Sequence, residues 1–422
     1  MRSVNEEAVA EVTGVNGLVT RISAQPLLLG QLFASAAGAL AMVMAAAAME
    51  PEHFTTFSLY ILVTFIVAGA VRALLFLPAL IETRTNRHAH VHIGVALSGS
   101  LAAMVCFAVA AVIMGVRQPG WLLALSAANA LPVLSEWLRM RGTALDERWN
   151  VARSDALRLT ATLSGPVVLW WTTAPEVFFL FVSITYLSNI IYLAARLPAV
   201  AAHLSPTRFW RQASSVLADF LIGQLVASIP LILLGGLGDS LYIGGVRLAQ
   251  TLLGPLNLFM AATWTNLLAD GATRETHADP RDLIRHGRRA SRNLSLLSLV
   301  VVPSALLALT VTGFSLRGAD NHSLIVGTLL VGGLAITSGY AGVDAMVLRL
   351  LGHPVTATVG RALLVALASG GYVVGYVVGG VDGSLIGGFA CAAIGNPLAF
   401  VLPAAVIYRR YRKRDRATVE VG

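Results

Sequence analysis

Long apolar runs separated by short polar segments make up most of the chain. Each run has about the 20 residues that a helix needs to cross the hydrocarbon core of a bilayer, and about twelve runs can be distinguished. The predicted spans cover residues 27–49, 54–81, 92–116, 121–140, 154–173, 176–197, 213–235, 241–268, 293–313, 323–350, 356–379 and 384–408. The pattern therefore predicts an all-α polytopic membrane protein.

Positive charge is confined almost entirely to one set of loops. Outside the predicted spans, Arg117 and Arg317 belong to one set, and the other arginines fall in the alternate loops or the terminal segments. Such a bias marks the cytoplasmic side, so both termini are predicted to be cytoplasmic. The opposite loops, such as "EPEH", "TTAP" and "GVDG", are short. They leave no room for the outer catalytic chamber expected of a membrane glycosyltransferase or polymerase.

The spans divide into two groups of six, which predicts two six-helix lobes related by a parallel pseudo-two-fold axis along the membrane normal. Two short echoes accompany the division: "SLYI" occurs at 58–61 and 240–243, and "GQLFAS" at 30–35 is matched by "GQLVAS" at 223–228. Their offsets differ, so a duplication would need an insertion. The predicted organisation is a cytoplasmic segment (1–26), an N-lobe (27–199), a linker (200–212), a C-lobe (213–408) and a basic cytoplasmic tail (409–422).

The composition agrees with membrane embedding. The 422 residues are 56% hydrophobic and 12% charged, whereas about a quarter of the residues in soluble domains are charged. The net charge of +8 comes from the loops and not from a basic soluble domain, so nucleic-acid binding is not indicated. The first apolar run is longer than the apolar core of about 7–15 residues in a signal peptide, and we predict that it is a span.

Of the arginines within predicted spans, Arg72, Arg158 and Arg247 are the candidates for a buried charge, which is unfavourable unless it faces the bundle interior or a wet cavity. Arg158 follows Arg153 by five residues, and snorkelling to the cytoplasmic surface would explain it. Arg72 lies farther than Arg158 from the cytoplasmic end of its span, the second, and Arg247 lies in the outer half of the eighth. For these two, a role in a cavity and a structural ion pair are both open interpretations.

Acidic groups are fewer within the spans. Asp219 lies in the inner half of the seventh span and is a candidate for ion coupling, or for a salt bridge to Arg72. Glu136 and Asp344 lie near cytoplasmic span ends beside Arg139 and Arg349, at spacings typical of interfacial ion pairs on a helix.

Further polar and helix-breaking residues suggest a cavity lined by bent helices. Gln31, Gln224, Gln250 and Asn257 could supply a polar lining. Gly254–Pro255 and Pro78 are predicted to kink their helices, because proline removes a backbone hydrogen bond.

Common catalytic and cofactor motifs are missing from the sequence. The sequence has no Walker-type phosphate loop, no HExxH and no GxSxG. His88, His90 and His92 alternate in "RHAHVH", but no cysteine or carboxylate cluster accompanies them. The sequence therefore predicts no metal, no cofactor and no enzymatic activity.

The segment "SLYIGGVRLAQTLLGPLNLFMAATWTNLLAD" resembles the eighth span of polysaccharide and O-antigen flippases in the multidrug/oligosaccharidyl-lipid/polysaccharide (MOP) superfamily. The second-span segment "SLYILVTFIVAGAVRALLFLPAL" is similar to its N-half counterpart. The resemblance implies a MATE-like arrangement of the lobes and a location in the bacterial cytoplasmic membrane. It also implies that the protein carries an undecaprenyl-pyrophosphate-linked glycan from the inner to the outer leaflet by alternating access.

The resemblance further implies roles and partners. Arg72 and Arg247, together with Arg158, would hold the anionic headgroup, with Arg72 nearer the inside and Arg247 nearer the outside. Membrane lipid and the lipid-linked glycan would be the partners, with glycosyltransferases or a polymerase of the same pathway as further candidates. A monomer is expected, because two lobes suffice for alternating access.

Three other functions are alternatives to the flippase. A multidrug cation antiporter of the same superfamily would need an acidic, aromatic cavity. A non-transporting scaffold in polysaccharide assembly would tolerate neutralised arginines apart from a loss of abundance. A major-facilitator transporter would carry a basic loop motif between the second and third spans, where "ETRTNRHAHV" stands instead. Lipid II flippases of the superfamily have fourteen spans, whereas twelve are predicted for this chain.

Overall fold

A computed structural model describes residues 26–76, 93–145, 147–197, 217, 220–222, 224, 226, 228–237, 242–254, 256, 260, 280–351 and 353–419. These residues are almost entirely helical, apart from one isolated bridge between Leu316 and Ala319. Within the described ranges, eight helical stretches are long and apolar enough to cross a membrane. The prediction of an all-α polytopic membrane protein is confirmed.

The helices are numbered here in chain order. They are α1 (Pro26–Ala48), α2 (Pro51–Val71), α3 (Ile93–Ile113), α4 (Pro119–Ala128), α5 (Ala130–Ala144), α6 (Arg148–Thr162), α7 (Gly165–Trp171), α8 (Pro175–Arg196), α9 (Ile229–Leu237), α10 (Ile243–Leu252), α11 (Pro280–Thr312), α12 (Asn321–Leu350), α13 (Pro354–Asn396) and α14 (Leu402–Val419). Two π-helical segments, Arg72–Phe76 and Pro397–Val401, extend α2 and join α13 to α14.

Several predicted spans are interrupted. The fourth is divided at Asn129 between α4 and α5, and the fifth is divided between α6 and α7. The last two predicted spans share α13, which leaves helical geometry at Gly379 and Gly380. Gly380 has a φ of 62°, in the left-handed region that glycine adopts without strain. The seventh and eighth predicted spans are described only in part, so the count of twelve stays a prediction.

Two hydrophobic clusters form the interior. The first is built mainly from α1 to α8 and contains the rings of Tyr60, Phe107 and Phe179, with the last two stacked at a centroid distance of 5.2 Å. The second is built mainly from α9 to α14 and contains Val246 and Phe389. Most of the packing of each half is therefore local to that half.

The halves meet at what we call the outer junction, between the α1–α2 turn and the loop that joins α11 to α12. Nη2 of Arg317 lies 2.9 Å from Oε1 of Glu50, and the backbone N–H of Gly318 donates to the carbonyl of Ala46 at 2.7 Å. A Cβ at Gly318 would lie 2.7 Å from the side chain of Phe54, so only glycine allows this approach. The junction joins the two halves on the side of the bundle that is predicted to face outward.

A cationic cavity lined by both halves

A cavity of about 370 Å³ lies between the helices, within the lower part of the range of roughly 300–1,000 Å³ that is typical of small-molecule sites. Helices α1, α2, α5, α6, α8 and α10 contribute to its wall. Its polar lining residues are Gln31, Ser35, Thr64, Arg72, Ser135, Glu136, Arg139, Arg158, Tyr186, Arg247, Gln250 and Thr251. Most of the other lining residues are small or apolar.

The lining carries an excess of positive charge. Four arginines contribute to it, whereas Glu136 is the single carboxylate among the described lining residues. A second carboxylate, Asp155, lies buried behind the wall and contacts Arg139. Even when both carboxylates are counted against the four guanidinium groups, the cavity region retains two positive charges.

Arg139 is fixed between these carboxylates. Its Nη1 lies 2.7 Å from Oε2 of Glu136, while its Nε and Nη2 lie 3.1 and 3.0 Å from Oδ2 of Asp155. The other oxygen of Asp155 accepts a hydrogen bond of 2.9 Å from Nδ2 of Asn189. A Cβ at Gly30 would lie 3.0 Å from Asp155, so the glycine allows α1 to pack closely over this network.

Arg72 is paired less tightly. Its Nη1 lies 3.4 Å from Oε1 of Glu136, and its side chain is 47% exposed. The residue begins the π-helical segment after α2, a geometry often found at functional sites. Arg72 thus takes part in a structural ion pair and also lines the cavity, so the two interpretations of its role do not exclude each other.

Arg158 points into the bundle, so the snorkelling explanation from its sequence position is wrong. The residue is only 6% exposed, and its Cζ lies 3.6 Å from the centroid of the Tyr186 ring, a cation–π contact. Its Nε has no hydrogen-bond partner. The distance from Arg153 along the chain indicates depth in the membrane, but it does not indicate the direction in which α6 presents the side chain.

Arg247 is the most isolated of the four charges. It is 5% exposed, its Nη1 donates a hydrogen bond to Oε1 of Gln250, and its Nε has no partner. Glycines at positions 244 and 245 bring α10 into close contact with the outer junction and with α12. Within the described part of the chain, neither Arg247 nor Arg158 forms an ion pair.

Some of the other candidate residues also line the cavity, and others lie outside the described residues. Gln31, Gln250 and Gly254 line the cavity together with the arginines, whereas Gln224 is not among its lining residues. Asp219, Asn257, Pro255, Pro78 and the histidines of "RHAHVH" lie outside the described residues. Arg72 and Arg247, which were expected at different depths, both contribute to the wall of one cavity.

Several residues of the cavity network were not identified from the sequence. Glu136 and Arg139 were expected to pair near the membrane surface, and they do pair, but they also line the cavity. Tyr186 and Asn189 lie three residues apart on α8, within the apolar run "FVSITYLSNIIYL". Two polar residues at helical spacing within an apolar span indicate a face turned toward a polar interior, and this signal could have identified them.

No family model matches the chain, and none of the curated proteins matches it. Solved structures do match it. An inward-facing multidrug resistance MATE family transporter of the MOP superfamily aligns with a TM-score of 0.67 and 14% identity, covering 90% of this chain and 96% of that one. The lipid II flippase MurJ in an inward closed conformation aligns with a TM-score of 0.58 and 12% identity, covering 88% and 86%.

A third match is a MOP superfamily transporter from Pyrococcus furiosus. It aligns with a TM-score of 0.58 and 14% identity, covering 93% of this chain and 94% of that one, and its structure is described as having a binding pocket of reversed polarity. At such identities the likeness is one of fold. The chain therefore has the fold of the MATE and MurJ transporters of the MOP superfamily.

Proposed function

We propose that this protein is a flippase that moves a lipid-linked oligosaccharide or polysaccharide repeat unit, carried on undecaprenyl pyrophosphate, from the inner to the outer leaflet by alternating access. One observation carries the proposal. Arg158 from the N-terminal half and Arg247 from the C-terminal half are buried, lack ion-pair partners among the described residues, and line the same cavity. The fold, shared with transporters that include a lipid II flippase, supports the same class of function.

Burial without an ion-pair partner is unfavourable for a charged side chain. The effective penalty is several kcal/mol per charge even after the protein relaxes. Arg247, and to a lesser degree Arg158, which is also attracted by Glu136 and Asp155, therefore favour a compensating anion. A guanidinium presents donors in a planar fork that matches phosphate oxygens. A diphosphate between the two halves would supply two or more negative charges, which fits the excess charge of the cavity region. The prenyl chain would remain in lipid.

The alternatives receive no such support. A cation antiporter would need carboxylates free to bind an organic cation, but Glu136, the one carboxylate among the described lining residues, is already engaged by two arginines. A scaffold role does not explain why buried arginines without ion-pair partners should face a cavity. The anionic headgroup is therefore the substrate feature that this geometry favours.

The test compares binding and leaflet-to-leaflet transfer of a fluorescent prenyl-diphosphate-linked oligosaccharide by reconstituted variants. Arg158→Gln and Arg247→Gln are expected to lose both activities at normal protein levels. Arg153→Gln is the matched control, because Arg153 lies on the same helix as Arg158 but is exposed and outside the cavity lining. Transfer by Arg158→Gln and Arg247→Gln at the rate of the control would refute the proposal.

A further inference from the structure

Glu136 occupies a position that the anion-binding role of the cavity does not explain. It is the one carboxylate among the described residues that line the cavity, and it stands beside the groups that would bind an anionic substrate. A carboxylate there repels a phosphate. Removing it would make the cavity more cationic, so its presence needs a separate reason.

The two contacts of Glu136 are unequal. Oε2 lies 2.7 Å from Nη1 of Arg139, which Asp155 holds rigidly from the other side. Oε1 lies 3.4 Å from Nη1 of Arg72. Ion pairs with an exposed partner contribute little, and the Arg72 side chain is 47% exposed. No second ion pair holds Arg72 within the described ranges. Arg139 is therefore a fixed support for Glu136, whereas Arg72 can be released.

We propose that Glu136 is an internal competitor for the headgroup that holds Arg72 while the cavity is empty. This inference rests on the proposed function. A diphosphate reaching Arg158 and Arg247 displaces the carboxylate from Arg72 and gains a third guanidinium. When the headgroup must leave, Glu136 reclaims Arg72 and thereby accelerates release. Glu136 is thus a positioning residue that acts through Arg72, and it also sets specificity, because a monophosphate offers less charge with which to displace it.

Neutralising Glu136 should have opposite effects on binding and on turnover. In Glu136→Gln the amide oxygen can still accept from Arg139, but the negative charge that competes for Arg72 is gone. We expect the Kd for a prenyl diphosphate to fall about tenfold, which corresponds to about 1.4 kcal/mol. The transfer rate should also fall, because release becomes slower, and the preference for diphosphate over monophosphate should shrink. A merely structural role for Glu136 would weaken binding instead.

The experiment uses the full chain in lipid nanodiscs, titrated with farnesyl diphosphate and farnesyl monophosphate, with transfer measured in proteoliposomes. Glu176→Gln is the matched control, because this carboxylate accepts a hydrogen bond from Tyr60 and lies outside the cavity lining. In the Arg72→Gln background, Glu136→Gln should no longer tighten binding. Unchanged or weaker binding by folded Glu136→Gln, or equal tightening without Arg72, would overturn the inference.

Two further outcomes distinguish a failure of this inference from a failure of the proposed function. Wild type that binds neither probe would overturn the proposed function, and the inference with it. Wild type that binds the diphosphate, but whose affinity does not respond to Glu136→Gln, would overturn the inference alone. If Glu136→Gln does not fold, Glu136→Asp draws the carboxylate back from Arg72 by one methylene. It should tighten binding by a smaller factor, and a folded Glu136→Asp variant with wild-type affinity would be equally contradictory.

Discussion

Replacing Arg247 by methionine is expected to stabilise the protein and to abolish anion binding at the same time. The side chain is 5% exposed and has a single hydrogen-bond partner, Gln250, with no carboxylate nearby among the described residues. Methionine fills a similar volume without a charge. The substitution removes a desolvation penalty of several kcal/mol and loses a hydrogen bond worth about 1.5–3 kcal/mol. We expect a net gain of about 1–3 kcal/mol.

The contrasting variant is Arg139→Met. Arg139 pairs with both Glu136 and Asp155. Its loss leaves Asp155 without an ion-pair partner among the described residues and Glu136 with only the weaker contact to Arg72. Breaking a buried pair in this way is destabilising by about 3–5 kcal/mol. Two arginines of the same cavity are therefore predicted to change stability in opposite directions, although both substitutions remove one positive charge.

The assay is thermal unfolding of purified protein in a phosphate-free buffer, followed by tryptophan fluorescence. The Tm of Arg247→Met should rise by a few degrees, since about 1 kcal/mol shifts the Tm of a domain of 150–250 residues by roughly 2–4 °C. Adding pyrophosphate should raise the Tm of wild type, through binding to the folded state, and leave that of Arg247→Met unchanged. A variant as unstable as Arg139→Met would refute the view that Arg247 is an uncompensated charge.

Three other predictions concern regions outside the cavity. Arg317→Ala should speed hydrogen exchange at the outer junction by up to about fivefold, measured by mass spectrometry, because a half-exposed ion pair contributes about 0.2–1 kcal/mol. Gly375→Ala should lower the Tm, because its Cβ would clash with the carbonyl oxygen of Gly383; Gly370→Ala, whose Cβ would meet no atom within 4 Å, should not. The hydrogen bond from Ser323 lowers the pKa of the Asp320 carboxyl below its usual value of 3.8. The stability that the ionised carboxylate contributes is therefore present above the unfolded pKa and is lost as the pH falls through the lower pKa of the folded state. Asp320→Asn should accordingly flatten the dependence of Tm on pH between about 5 and 3.

The sequence predicted the class of fold because the bilayer imposes a length and a polarity on every span. It also singled out Arg247 and Arg72, since a charge deep in an apolar run has few acceptable surroundings. The glycine pair at the break in α13 coincides with the predicted loop "GVDG" between the last two spans. These features depend on local composition, which a single sequence displays directly.

The contacts that these charged residues make with other helices could not be predicted in the same way. The helical spacing of Glu136 and Arg139 explained both residues locally and gave no sign that Arg72 on another helix and Asp155 on α6 join them. The direction of Arg158 depends on how α6 is rotated against α8, where Tyr186 lies. Contacts between helices are set by packing across the bundle, and the position of a residue within its own span does not determine them.

The most direct test of the central claim is the choice of substrate by wild-type protein in proteoliposomes. One set of vesicles contains the fluorescent prenyl-diphosphate-linked oligosaccharide, and a second set contains a proton gradient and a fluorescent organic cation. The four arginines and one engaged carboxylate among the described lining residues predict leaflet-to-leaflet transfer of the lipid and no gradient-driven movement of the cation. Cation transport without lipid transfer would contradict the account.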